Sequence, residues 1–543
     1  MDASIRSAHV DTFARDHLPP VEEWPAILVD LPELCYPQRL NCAVELLDVT
    51  IGRFGGDRPC LLDQAGTVWS YEQVAELVNR TAEELVHGYG LRPGNRVLLR
   101  GPNSPWLAIC WLAVMRAGGI AVTTMALLRA VELREVIAKA EVRFALCDER
   151  FTEELELASG DDLTVIRYDV HDGGELGRQA KARTGVFPAV RTAADDVALI
   201  AFTSGTSGVP KATVHFHRDV LAIADTFSAR VLRPEPTDLF AGSPPLGFTY
   251  GLGGLLIFPL RAGAASLLLE EAAPDKLFRA VARHRVSVLF TSPTAYRRVL
   301  DSLDDYELAS LRLCVSAGEP LPPATWQAFE RATGLRLVDG IGSTEMLHVF
   351  ISAAGEDVRP GATGRVVPGF RARVVDESGA EVPDGVPGLL QVKGPTGCRY
   401  LTDPRQRAQV RDGWTLTGDV FIKDADGYFW FQARSDDMIV SSGYNIAAPE
   451  VENSLLRHPA VAECAVVGAP DPGRGEIVKA YVVLAAGCQP GEELVAALQS
   501  FVKSDIAPYK YPRAIEFTAG LPRGSTGKIL RSVLRESCRS RSR

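Results

Sequence analysis

Short apolar runs alternate with longer amphipathic ones along most of this chain, and no other feature restricts its fold as much. Arg96–Leu99 reads as a strand, Pro105–Ala117 as a largely buried helix closed by Gly118-Gly119, and a further strand follows. Val131–Ala140 is again helical and Val142–Cys147 again a strand. The alternation returns with strands at Ala265–Leu269, Val286–Thr291, Leu311–Ser316 and Leu335–Asp339, separated by helical runs such as Pro322–Thr333. Such alternation predicts βαβ units around parallel sheets. Ser70-x-x-Gln73 is a capping box, and apolar residues at helical spacing follow it to Leu85.

At 543 residues the chain exceeds one ordinary domain. Beyond Gly361 the texture changes to short strands with Gly, Pro and Asp turns, and after Asp437 helix–strand alternation resumes as a separate unit. The expected class is α/β: a large N-terminal domain of parallel-rich sheets with a β-rich subdomain, then a small α+β domain. Ala43–Ile51 is a helical candidate, and the polar Gly173–Val186 reads as a surface loop. Leu252–Leu269 is apolar but interrupted by Pro259 and Arg261, so buried strand and turn are expected there rather than a membrane span. The basic, serine-rich Arg535–Arg543 reads as a disordered tail.

A net charge of −10 argues against a nonspecific nucleic-acid binder. The ten cysteines form no C-x-x-C pair, which fits scattered reduced thiols and not a zinc ribbon. Met1–Pro20 carries charges throughout and no apolar core of a signal peptide, so a cytoplasmic protein without membrane partners is expected.

The run Val197–Phe202 leads directly into Thr203-Ser204-Gly205-Thr206-Ser207-Gly208-Val209-Pro210-Lys211. Glycines let backbone N–H groups approach an anion, hydroxyls add rotatable donors, and the lysine adds a point charge. These residues read either as a loop closing over phosphates or as a polar connector. A Walker A loop is disfavoured, because Gly208 is followed by Val-Pro and Lys211 by Ala212.

Two later strands also end in polar motifs, Ser316-Ala317-Gly318-Glu319-Pro320 and Gly340-Ile341-Gly342-Ser343-Thr344-Glu345. Ligands of open α/β sheets sit outside the carboxyl ends of strands. Glu345 suits a Mg²⁺ that carries phosphate, or else caps a helix N-terminus. Asp419 could accept two hydroxyl hydrogens or close a turn, and Lys528 alone would read as a solvated charge. His215 and His217 share a strand face, but no third ligand lies near them and a metal site is disfavoured.

Together these motifs resemble the adenylate-forming superfamily of acyl-CoA synthetases, luciferases and peptide-synthetase adenylation domains. Members commonly carry Thr at the Ser207 position and Gly at the Ala212 position. The resemblance implies that Thr203–Gly208 and Lys211 hold phosphates, that Ala317–Pro320 with Asp339, Gly340 and Ile341 bound the adenine, and that Asp419 and Arg434 hold the ribose. It implies Thr344 at the α-phosphate, Glu345 on Mg²⁺, and Lys528 entering the site for adenylation only. Residues 1–433 would form the adenylation domain, 434–436 a hinge centred on Asp436, and 437–543 a mobile domain. Its rotation would withdraw Lys528 and bring Gly443 beside a thiol tunnel. ATP, Mg²⁺ and coenzyme A are the implied cofactors.

His9–Asp16, Leu34–Leu47 and Gly340–His348 resemble benzoate- and 2-aminobenzoate-CoA ligases in particular. The expected substrate loop, Pro244–Gly254, contains no acid to pair an α-ammonium, so an amino acid is disfavoured. Phe248 and Tyr250 could wall an aromatic ring or simply be core, with Gly251, Ala317, Gly340, Ile341 and His348 completing the pocket. A neutral imidazole at His348 could serve an ortho amino or hydroxyl group, and 2-aminobenzoate is the leading candidate. Tyr509–Arg513 resembles the closing segment of CoA ligases, so free CoA is favoured as acceptor over a separate carrier protein. A catalytically silent adenylate sensor is the reading from another class, and a homodimer is left open.

Overall fold

Ser70 accepts from the Gln73 N–H and Gln73 returns a bond to the Ser70 N–H, so the helix Tyr71–His87 begins on its capping box. Pro105 opens the next helix at its first turn, where a missing N–H costs nothing, and Ser104 caps it through the Leu107 N–H. Every residue from Pro105 to Arg116 is buried. That explains a sequence apolar all round, each large side chain contributing roughly 1.5–3 kcal/mol.

The computed structural model describes residues 6–160, 162–203, 210–435, 437–441, 444–471, 474–524 and 528–540. The fold is α/β. Among the described residues the strands form four sheets. In the first, Thr164–Tyr168, Phe144–Asp148, Arg96–Arg100, Ile120–Thr123 and Val197–Thr203 run parallel, and Lys211–Phe216 closes the edge antiparallel. The second is nine-stranded, with a parallel centre from Leu337–Gly342 through Leu313–Ala317, Val288–Thr291, Leu239–Gly242 and Ala265–Leu268 to Pro59–Asp63. One continuous core, including Trp106, Trp111, Phe227, Phe258 and Phe290, lies against both. An antiparallel sheet from Arg371 to Arg434 follows, and the strands from Met438 onward belong to a fourth sheet with its own core.

Four local expectations are corrected. Gly174–Ala182 is a helix, not a loop, because Leu176, Gly177 and Ala180 bury one narrow stripe against Tyr71–His87. Ala43–Ile51 splits into two helices, Cys42–Leu46 and Asp48–Phe54. Leu252–Leu269 is mainly helical up to Ala262, with Pro259 in a first turn and only Ala265–Leu268 extended. Being buried on every side, it shows no amphipathic period to read. Finally, Arg531–Ser540 is a helix whose Leu534 and Cys538 are buried against the last sheet, so the tail is ordered that far.

No described helix is long and apolar enough to cross a membrane.

Candidate active site

Thr203 and Lys211, the two ends of the predicted phosphate loop, are register partners on antiparallel strands. Ser204, Gly205, Thr206, Ser207 and Gly208 lie outside the described residues, as do Asp436 and Gly443. The Lys211 ammonium donates to the Tyr400 hydroxyl at 3.2 Å and to Gln409 Oε1 at 3.3 Å. Tyr400 in turn donates to Glu345 Oε1 at 2.6 Å. Burial, then the Glu345 charge, pushes the Tyr400 phenol far up, so it stays a neutral donor. Tyr400 is fully buried and was not foreseen as a site residue. It joins partners 55 and 189 positions away, so no local spacing announces it.

Glu345 is aimed by a tight turn between the strands Leu337–Gly342 and Val349–Ser352. The Met346 N–H bonds Ser343 Oγ, the Leu347 N–H bonds the Thr344 carbonyl, and Leu347 takes φ +67. A left-handed leucine costs about 1–2 kcal/mol, strain the surroundings must hold. Part of that hold comes from His215, whose Nε2–H donates to the Thr344 carbonyl at 2.7 Å. Behind it Arg399 donates to Asp219 at 3.0 Å, with both side chains fully buried. Burial alone would raise the Asp219 pKa, but Arg399 and His215 outweigh it and hold it at about 2. His217 instead opens a helix beside Cys42, and desolvation lowers it to about 3. The two imidazoles therefore serve different neighbours, and among the described residues no three metal-ligating side chains gather.

The second polar strand end lies alongside. Ala317 pairs with Gly340, and Gly318 follows at φ +92, a conformation glycine adopts freely. Glu319 is held by the Thr294 hydroxyl at 2.6 Å. The Asp339 carboxyl has one buried oxygen without a hydrogen-bond partner, and desolvation pushes its pKa up to about 8. Asp419 and Arg434 are cross-strand partners, with Arg434 Nη1 at 3.2 Å from Asp419 Oδ1 and 3.2 Å from the Thr417 carbonyl. Burial raises the Asp419 pKa and Arg434 partly offsets this.

Lys528, from the opposite end of the sequence, reaches this place. A Cβ built on Gly318 would sit 3.8 Å from Lys528 Cε. The residue as a whole is exposed, yet its ammonium end is desolvated, which lowers its pKa against the pull of Glu319 and Asp419. The small unit is thus turned so that Lys528 faces the strand ends.

Beside them lies an aromatic wall. Tyr250 donates to the carbonyls of Val315 at 3.3 Å and Thr291 at 3.4 Å, and its ring lies 5.6 Å from those of His348 and Phe290. His348 stacks on Phe227 at 5.5 Å and meets the Phe258 edge at 4.6 Å. Desolvation holds this imidazole neutral, at about 3. Nε2–H donates to the Tyr250 carbonyl at 3.3 Å, and Nδ1 is buried without a partner. Ile341 packs half-buried against the same core. The glycines of the loop are structural necessities: a Cβ on Gly251 would come within 2.2 Å of the Pro245 carbonyl, and one on Gly253 within 2.3 Å of His348. Phe248, half-buried, precedes the short helix Thr249–Leu252 and joins no described ring pair. Phe227, Phe258 and Phe290 were not foreseen, since buried aromatics carry no mark separating wall from core.

Residues 47–400 match the AMP-binding enzyme family and residues 450–528 match the AMP-binding enzyme C-terminal domain. The chain belongs to the AMP-binding enzyme family. It is 36% identical to the benzoate–CoA ligase of Thauera aromatica over 93% of this chain and 98% of that one. Among solved structures it is similar to the anthranilate CoA ligase AuaEII in complex with anthranoyl-AMP, with a TM-score of 0.88, 32% identity, and coverage of 93% of this chain and 99% of that one. It is also similar to a benzoate CoA ligase from Burkholderia xenovorans LB400, with a TM-score of 0.84, 31% identity, and coverage of 91% and 99%. By this kinship the chain is an AMP-forming acid–thiol ligase.

Proposed function

We propose that this AMP-binding enzyme is an aryl-CoA ligase, with 2-aminobenzoate as its leading acid. The observation that carries the reading is an acid-free, ring-lined loop, Pro244–Gly254, packed against the strand ends that also bear the nucleotide motifs. No carboxylate in that loop could pair an ammonium beside the reacting carboxyl. The His348 ring donates to the backbone from Nε2 and keeps Nδ1 as a lone acceptor, which complements an amino N–H on a substrate ring better than an unsubstituted edge.

In the first step a carboxylate oxygen of the acid attacks the α-phosphorus of ATP and pyrophosphate leaves. Residues 203–208 and Lys211 would cradle the phosphates, Asp419 and Arg434 the ribose, and Ala317–Pro320 with Asp339–Ile341 the adenine. Thr344 would meet the α-phosphate. Lys528 would offset charge gathering among carboxylate, α-phosphate and leaving group, an interaction stronger in the transition state than before it. The donor set at Glu345 fits Mg²⁺: one hard carboxylate, with no protein cage among the described residues, suits an ion that arrives with its phosphates and keeps its waters. Its chemistry there would be to neutralise phosphate charge. In the second step the CoA sulfur attacks the acyl carbon and AMP leaves. Gly443 and a hinge at Asp436, with domain limits 1–433 and 437–543, complete the reading.

The test is purified protein with ATP, Mg²⁺ and benzoate, 2-aminobenzoate, 2-hydroxybenzoate or 4-hydroxybenzoate, with and without CoA, products read by mass. The reading expects aroyl-AMP without CoA and aroyl-CoA with it, 2-aminobenzoate having the highest kcat/KM. Absence of pyrophosphate release with every aryl acid would overturn it. Adenylate without transfer to CoA would point to a carrier protein.

A further inference from the structure

Glu463 lies in the strand Val461–Asp471 of the small unit, far in sequence from any nucleotide motif. Three guanidinium groups converge on it. Arg523 donates to Oε2 at 2.7 Å, Arg298 to Oε1 at 3.4 Å, and Arg297 lies 3.9 Å away. Arg523 belongs to the small unit, whereas Arg297 and Arg298 belong to the helix Pro293–Val299 of the large one. The carboxylate is only 18% exposed, and its arginines keep it ionised against desolvation.

Each partner leads to the Lys528 site. Arg523 pairs with Ile529 as an antiparallel bridge, the Gly524 N–H bonds the Lys528 carbonyl at 2.9 Å, and the Leu530 N–H bonds the Pro522 carbonyl at 2.8 Å. Fixing Arg523 therefore fixes the base of the loop that presents Lys528. On the other side, the helix carrying Arg297 and Arg298 also carries Thr294, which holds Glu319, and Glu319 attracts the Lys528 ammonium. The contacts close a circuit: Lys528, Glu319, Thr294, the helix, Arg297 and Arg298, Glu463, Arg523, and back along the loop to Lys528.

We infer that Glu463 is a positioning residue for adenylation, an ionic clamp that seats Lys528 by tying its loop to the helix that holds Glu319. The inference rests on the acyl-AMP chemistry proposed above. The clamp spans the two units, so it acts only while Lys528 faces the strand ends, and the thiol step does not depend on it. Without the carboxylate, the negative charge that Arg523, Arg297 and Arg298 share is lost, and like charges facing each other across the two units favour them apart.

Glu463→Gln tests this. With 2-aminobenzoate, exchange of labelled pyrophosphate into ATP is expected to fall about three- to thirty-fold, the range of a few partly exposed ion pairs. Conversion of synthetic 2-aminobenzoyl-AMP and CoA to thioester should stay within about twofold of the unaltered enzyme, as a role confined to one step requires. Arg297→Ala/Arg298→Ala, which leaves the small unit's own core untouched, should give the same split. Combining all three changes should cost less than the product of the separate effects. Unchanged exchange, or an equal loss in both steps, would overturn the clamp. An unaltered enzyme that exchanges pyrophosphate with none of the aryl acids would instead overturn the underlying reading.

Discussion

The Tyr400 hydroxyl bridges the Lys211 ammonium and the Glu345 carboxylate. It accepts from the ammonium and donates to the carboxylate, so one buried oxygen sets the position of both. Hydrogen bonds to charged partners contribute roughly 1.5–3 kcal/mol, and removing the hydroxyl takes a donor from Glu345 and leaves Lys211 with Gln409 as its acceptor. Tyr400→Phe is therefore expected to slow acyl-AMP formation about ten- to hundred-fold, with the melting temperature nearly unchanged, as single-turnover kinetics and thermal unfolding would read. Thr344, Glu345, Lys211 and Asp419 could be singled out in the sequence because each lies in a motif that resembles those of the adenylate-forming enzymes. Tyr400, His215 as a buttress of Thr344, and the Asp219–Arg399 pair could not. They act on residues distant in sequence, and a buried polar side chain declares its partner only when the chain has folded.

At the scale of elements, the strands legible beforehand were short apolar runs between turn signals, and the helices those with a cap or an amphipathic stripe. Tyr71–His87 shows both a capping box and a helical stripe. The elements misread were buried all round, as Gly253–Ala262, or short and mostly polar, as Gly174–Ala182. In the first no polar face remains to set a period, and in the second only Leu176 and Ala180 supply an apolar stripe. The loop Pro244–Gly254 is marked in the sequence by its resemblance to the family's substrate loop, yet the reason for its glycines appears only in three dimensions. A Cβ at Gly251 meets backbone oxygens that cannot swing aside. Gly251→Ala should therefore shift the loop and raise KM for the aromatic acid at least about tenfold, since overpacking of this kind costs ~1–3 kcal/mol. KM for ATP should stay within about twofold, because the nucleotide motifs lie on other strands. Equal rises in both constants would mean that the loop supports the whole site and not the acid alone.

Over the whole molecule, the α/β class, the β-rich stretch beyond Gly361 and the C-terminal unit follow from alternation and texture that the sequence displays openly, whereas the return of Pro59–Asp63 to the nine-stranded sheet does not. Which face the small unit turns toward the large one does not, because it depends on contacts such as Glu463 with Arg297 and Arg298 that join surfaces otherwise solvated. The structure has Lys528 beside Gly318, the arrangement that the proposed first step requires. The account then makes one demand above the others: a residue near the C-terminus must matter for making the adenylate and not for using it. The measurement is single-turnover chemistry on Lys528→Ala, with 2-aminobenzoate, ATP and Mg²⁺ for the first step, and with synthetic 2-aminobenzoyl-AMP and CoA for the second. Loss of an electrostatic group aimed at the transition state predicts a fall of about 10²–10³-fold in adenylate formation, with thioester formation nearly unchanged. Adenylate formation at the rate of the unaltered enzyme would contradict the account.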